Sequence, residues 1–107
     1  MALEVYRVSL KMIEGVRPLI GVVARRDRAL ADQMRRAATS VPLNIAEGTE
    51  SLGGNKRVRF RTAAGSAAEV DAALEVSVAW GYVTAAQARE VRGHLDRIRR
   101  MLSRLGR

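Results

Sequence analysis

The sequence predicts an all-α protein, an antiparallel up-down four-helix bundle occupying one domain over residues 1–107. Three observations predict it. Apolar residues recur every three or four positions in four separate stretches. The stretches are joined by turns of only a few residues, the usual length between helices that fold back on a neighbour. No segment alternates apolar and polar residues over a strand length between turn signals, so no sheet is expected.

The first helix is expected from about Leu3 to Ala24. It carries one stripe of Leu3, Tyr6, Leu10, Ile13 and Ile20 and a second of Val5, Met12, Val16, Leu19 and Val23. Two stripes leave a narrow polar face, so this broad apolar face is the expected surface for self-association. Pro18 should bend the helix or end it early, because proline removes a backbone donor and crowds the preceding turn. ARRDRALADQM then turns the chain, with Asp27 as N-cap. The second helix runs from about Ala29 to Ser51 on Leu30, Met34, Ala37, Val41 and Ile45. Pro42 predicts a kink near Ala38, and Gly48 should relax the helix just before its end. The break is SLGGNK, where Gly53 and Gly54 supply positive φ and Asn55 caps the next helix. The third helix, from about Lys56 to Trp80, is read from Phe60, Ala63, Ala67, Val70, Leu74 and Ser77, and Gly81 ends it. Thr84 caps the fourth, whose heptad of Ala88, Val91, Leu95, Ile98, Leu102 and Leu105 is regular.

Composition narrows the function. Apolar residues are 48% of the chain, which argues against disorder, but a domain this short buries a modest fraction of its surface. Aromatics are only 4%, so helices can approach closely while each contact buries little area, and self-association is expected. The chain has no cysteine, which excludes disulfides and thiolate metal sites. Its start, MALEVYRVSLKMIEG, lacks the basic-then-apolar order of a secretory signal, and no run approaches the roughly 20 apolar residues of a membrane span. A soluble cytoplasmic protein is expected. The net charge of +8 favours polyanionic partners, with an arginine-rich solvated surface as the structural alternative.

The run TSVPLNIAEGTE mixes polar residues into a helical pattern. On a helix, Arg36, Ser40, Asn44 and Glu47 form a polar stripe beside the apolar one. The third helix holds a similar set in TAAGSAAEV, where Thr62, Ser66 and Glu69 share a face and Gly65 should let a neighbouring backbone approach. Packed together, the two sets are expected to form a hydrogen-bonded network that fixes register. Glu47 with Glu69 is a candidate carboxylate pair, and His94 a candidate base. One histidine, no Glu-x-x-His pair and no phosphate-loop motif argue against catalysis, so no catalytic residue, metal ligand or cofactor is assigned. His94 is read as a surface or rim residue, and Trp80 and Tyr82 as a cover for the end of the core.

The order RRAATSVPLNIAEG, AAGSAAEV, WGYV and IRRMLSRL resembles the small bacterial four-helix bundle proteins first noticed as products of intervening sequences inside large-subunit ribosomal RNA genes, often labelled ribosomal-protein-like. It is similar also to the accessory variability proteins of diversity-generating retroelements. The resemblance covers about residues 3 to 105. It implies an antiparallel bundle assembled as a homopentamer, and the retroelement relatives bind nucleic acid and a reverse transcriptase through basic surfaces. The sequence departs from the family's pattern in NKRVRFRTA, where Lys56, Arg57, Arg59 and Arg61 stand in place of larger apolar residues.

Charge is unevenly spread. Residues 55–61 hold those four cations and no acid, residues 62–88 hold three acids and no Lys or Arg, and residues 89–107 hold seven arginines against Glu90 and Asp96. In an up-down bundle Lys56, Arg57, Arg59 and Arg61 should meet Arg97, Arg99, Arg100, Arg104 and Arg107 at one pole, with Arg7 and Lys11 at the same end and the acidic segment toward the other. Lys56, Arg57, Arg59, Arg61, Arg97, Arg100 and Arg104 are therefore the candidate contacts to RNA or DNA backbone. A protein partner, such as a reverse transcriptase or another acidic protein, is the alternative.

Overall fold

The computed structural model describes residues 2–105, and the regular structure among them is helical. Helix α1 spans Ala2–Ala24, α2 Arg28–Glu50, α3 Gly53–Ala79 and α4 Ala85–Leu105. At about 1.5 Å per residue the 27 residues of α3 extend roughly 40 Å, close to the 42 Å long axis of a body 23 and 19 Å across. The helices therefore lie along that axis. Each packs on its neighbour in the chain, α4 closes the ring on α1, and the α2–α3 contact is the most extensive. Met34 meets Ser77, Ser40 meets Ser66 and Glu47 meets Arg59. Glu4 reaches Arg97, and Gly15 abuts Val91.

The termini are closed by local chemistry. Asp27 Oδ1 accepts the Leu30 amide at 3.0 Å, as its position predicts. At α4 the cap is reciprocal: Thr84 Oγ1 accepts from the Gln87 amide at 3.1 Å, and Gln87 Oε1 accepts from the Thr84 amide at 2.8 Å. Gly81 has φ +79°, its amide donates to Val78 and the Tyr82 amide donates to Ser77, both at 2.9 Å. This pair of bonds satisfies the last carbonyls of α3 and turns the chain sharply, which only a residue without Cβ does cheaply.

Helix α1 ends at Ala24 as its pattern predicts, passing through Pro18 without stopping there. Pro18 is solvent-exposed, so water can satisfy the carbonyl that its missing amide leaves free. Helix α3 begins at Gly53, three residues before Lys56, and Asn55 lies inside its first turn and does not cap it. Gly53, at φ +57°, lets the turn start directly after Leu52, which offers no side-chain cap.

The core matches the predicted stripes. Val5, Met12, Val16, Leu19 and Val23 of α1 are buried, whereas Leu3 and Leu10 of the other stripe are 56% and 40% exposed. Met34, Ala37, Val41 and Ile45 face Phe60, Ala63, Ala67, Val70 and Leu74 in the same interior, closed by Ala88, Val91, Leu95, Ile98 and Leu102. Buried Ser9 and Ser77 donate to Tyr6 and Ala73 carbonyls of their own helices, so neither hydroxyl is left unpaired. Gly48 is buried too, and its role differs from the expected loosening of the helix. A Cβ there would lie 2.5 and 2.7 Å from two ring carbons of Phe60, so the missing side chain is the space the ring occupies. Gly65, expected to admit a neighbouring backbone, is exposed with nothing within 4 Å of its Cβ position. Small residues on the buried face of α3 are instead Ala63 and Ala67, both fully buried.

Candidate nucleic-acid interface

Between α2 and α3 the polar network forms in part. The Ser40 and Ser66 hydroxyls share a hydrogen bond of 2.8 Å across the helices. Asn44 Nδ2 donates to both the carbonyl and the hydroxyl of Ser40, each at 2.9 Å. Ser40 Oγ both accepts from Asn44 and shares a proton with Ser66, so the three residues make one chain of bonds. The other three predicted members do not join it. Glu47 is 58% exposed and holds Arg59 Nε at 3.0 Å. Arg36 and Glu69 are exposed, with no hydrogen-bond or ion-pair partner among the described residues. A short hydroxyl or amide can bond at the close α2–α3 seam, whereas a charged side chain there would lose water for too little return, so the long ones turn outward. Thr62 likewise bonds only its own helix, at the Val58 carbonyl.

The predicted basic residues fall into two sets. Lys56, Arg57, Arg61 and Arg104 have no ion-pair partner among the described residues. Arg59, Arg97 and Arg100 are engaged by Glu47, by Glu4 at 3.4 Å and by Asp96 at 3.3 Å. All three pairs are exposed, so water and salt screen them and a phosphate can compete for the guanidinium. Glu4 at the start of α1 meeting Arg97 places the beginning of α1 beside the later part of α4, and Glu47 meeting Arg59 places the end of α2 beside the beginning of α3. Arg107 lies outside the described residues.

The acidic part of α3 is not a free patch. Arg92 grips Asp71 with Nε at 2.8 Å and a terminal nitrogen at 3.3 Å, and reaches Glu75 at 3.7 Å. Arg99 stands 4.0 Å from Asp71. The Asp71 hydrogen bond raises the affinity of Arg92 for its proton.

Nor do the arginines gather at a single end. Tyr82, in the α3–α4 turn, donates its hydroxyl to Asp27 Oδ2 at 3.2 Å, and the Arg26 guanidinium stands 5.7 Å from the centre of its ring. The two turns thus meet, and Arg25, Arg26 and Arg28 stand at the end opposite Lys56 and Arg104. Trp80 lies 6.3 Å from Tyr82, with the ring planes 16° apart. Tyr82 is half-buried and covers the core as expected, but Trp80 is 66% exposed and covers nothing. Desolvation around the Tyr82 phenol, then the Asp27 charge and hydrogen bond, push its pKa upward. The sequence signal for this cluster was RRDR in one turn and WGY in another. Neither turn shows alone that they share an end.

Among the described residues, no group of His, Asp and Glu could hold a metal, and no helix is long and apolar enough to cross a membrane. The 23S rRNA-intervening sequence protein family matches residues 1–104. The chain belongs to that family. Its fold is similar to that of a crystallised protein of unknown function from the S23 ribosomal protein family of Bacteroides thetaiotaomicron VPI-5482. The two are 20% identical with a TM-score of 0.87, over 96% of this chain and 98% of that one. No curated protein matches the sequence. At 20% identity the likeness carries the fold and nothing about a ligand.

Proposed function

We propose that this chain is a non-catalytic, antiparallel up-down bundle that assembles with copies of itself, as a pentamer, and binds the backbone of RNA or DNA through one basic end. Four cations carry the reading: Lys56, Arg57, Arg61 and Arg104, from the start of α3 and the end of α4, none held by an acid among the described residues. The pairings of Ser40 with Ser66, Glu47 with Arg59 and Glu4 with Arg97 support the antiparallel order that brings them together. Leu3 and Leu10, apolar and exposed on α1, support self-association. A pentamer would present the basic end five times and bind by avidity. Such binding is independent of base sequence, because point charges on phosphates carry no base information.

Fluorescence anisotropy with a labelled RNA or DNA over a salt series tests the reading. Four phosphate contacts per subunit give a slope of log K against log salt of about −3 for a single strand. Replacing Lys56, Arg57, Arg61 and Arg104 by Ala should flatten that slope on every sequence alike, and no binding at low salt would sink the proposal. Sedimentation velocity tests assembly, and a monomer at micromolar concentration contradicts it.

A second reading, docking of an acidic protein such as a reverse transcriptase, is favoured by one observation. A groove of about 580 Å³ between α2 and α3 sets Leu43, 59% exposed, among Arg35, Arg36 and Arg59. Co-purification with a reverse transcriptase after nuclease treatment, lost in Leu43→Asp, would support it.

A further inference from the structure

We propose that Trp80, with the arginines of the α1–α2 turn, is a stacking site for an unpaired base of single-stranded nucleic acid, at the end of the bundle opposite the Lys56–Arg104 surface. Trp80 is the chain's one tryptophan and is 66% exposed just after α3. Its position is set by rigid parts. Gly81 at φ +79° and the Tyr82-to-Ser77 backbone bond lock the turn that comes after it. Tyr82 is fixed in turn by its hydroxyl bond to Asp27 and by Arg26 over its ring. Tyr82 lies nearly parallel beside Trp80, with ring centres 6.3 Å apart, and Trp80 remains 66% exposed.

Packing does not account for this exposure. Val83, 4% exposed, and half-buried Tyr82 close the core at that end without it. The surroundings suit a polyanion carrying flat rings. Arg25, Arg26 and Arg28 are exposed and have no ion-pair partner among the described residues. The one acid between them, Asp27, is occupied by the Leu30 amide and the Tyr82 hydroxyl. An aromatic face beside clustered arginines is the chemistry that holds single strands: the base stacks, and the guanidiniums take the flanking phosphates. A duplex, whose bases are already stacked and paired, offers no face to Trp80.

Because Trp80 is alone of its kind, its emission reports this site and no other. Titration with a short oligothymidylate at low salt should quench it to saturation, and the same sequence as a duplex should not. By anisotropy with the labelled oligothymidylate, Trp80→Ala should weaken binding by roughly 5- to 150-fold, the span of one base–aromatic stack, and Trp80→Phe should recover much of the loss. The side chain is exposed, so helicity by circular dichroism should be unchanged in both variants. The variant lacking Lys56, Arg57, Arg61 and Arg104 should keep the quench, which separates this site from the backbone-binding surface. If the strand binds while Trp80 emission and Trp80→Ala affinity stay unchanged, the stacking site is refuted and the backbone-binding proposal stands. If an acidic peptide quenches Trp80 and displaces the oligothymidylate at lower concentration, the site belongs to a protein partner and the inference is overturned.

Discussion

Replacing Gly48 by Ala sets two effects of opposite sign against each other, and the structure decides between them. In a helix interior Ala is favoured over Gly by about 0.8–1 kcal/mol, so the change should stabilise α2 if nothing opposed it. At Gly48 the new methyl would sit 2.5 Å from Phe60 Cε1, 2.7 Å from Cδ1 and 3.2 Å from Arg59 Cβ. Carbon atoms pack best at about 3.5–4.0 Å, so the ring must retreat by roughly 1 Å. Phe60 is 2% exposed and has no solvent side to retreat to. Overpacking of this kind costs about 1–3 kcal/mol, and the rigid ring with backbone-anchored Arg59 Cβ beside it places Gly48 toward the upper end. The expected net effect is a loss of about 1–2 kcal/mol. Gly93→Ala is the matched control: it is also inside a helix, exposed, with nothing within 4 Å of its Cβ position. It should gain about 0.8–1 kcal/mol, a rise in Tm of about 4–8 °C for a domain of this size. Thermal unfolding at 222 nm, with urea midpoints alongside, measures both. In a Phe60→Leu background the cost of Gly48→Ala should shrink, because the smaller side chain leaves the methyl room. If Gly48→Ala raises Tm as Gly93→Ala does, or if Phe60→Leu leaves its cost unchanged, the close fit of Gly48 to Phe60 is wrong.

Three further outcomes are expected. Ser40→Ala should cost about 1 kcal/mol by urea denaturation, and adding Ser66→Ala should cost little more, since both cut the same chain of bonds; Glu69→Ala should change stability by less than about 0.5 kcal/mol. Asp71→Asn should cost about 0.5–1 kcal/mol through the loss of its grip on Arg92 and Arg99, less at high salt because the arginines are about half exposed, and Glu75→Gln should have no measurable effect. The Tyr82 phenol, monitored at 295 nm in a Tyr6→Phe background, should titrate above its ordinary pKa of about 10, and Asp27→Asn should bring it down. The folded-state value is the raised one, so the stability it contributes is complete below the unfolded pKa and is lost as pH rises through the folded value.

By itself the sequence determined the number of helices, most of their caps and the residues that line the core. Those properties are periodic or local: a stripe such as Phe60, Ala63, Ala67, Val70 and Leu74 can face only one way on a helix, and Asp27 and Gly81 act on amides within a few residues. The start of α3 was the local exception, because Gly53 and Gly54 read as a break but served as a first turn. The tertiary structure decided which polar residues are bonded and where charge collects. Ser40, Asn44 and Ser66 join, whereas Glu47 turns to Arg59, because a seam between two helices admits short side chains and sends long charged ones to water. The tip that carries Arg26, Tyr82 and Trp80 likewise exists only once two turns far apart in the chain come together, and an ion pair or a stacked ring depends on separation in space, which spacing along a helix does not encode.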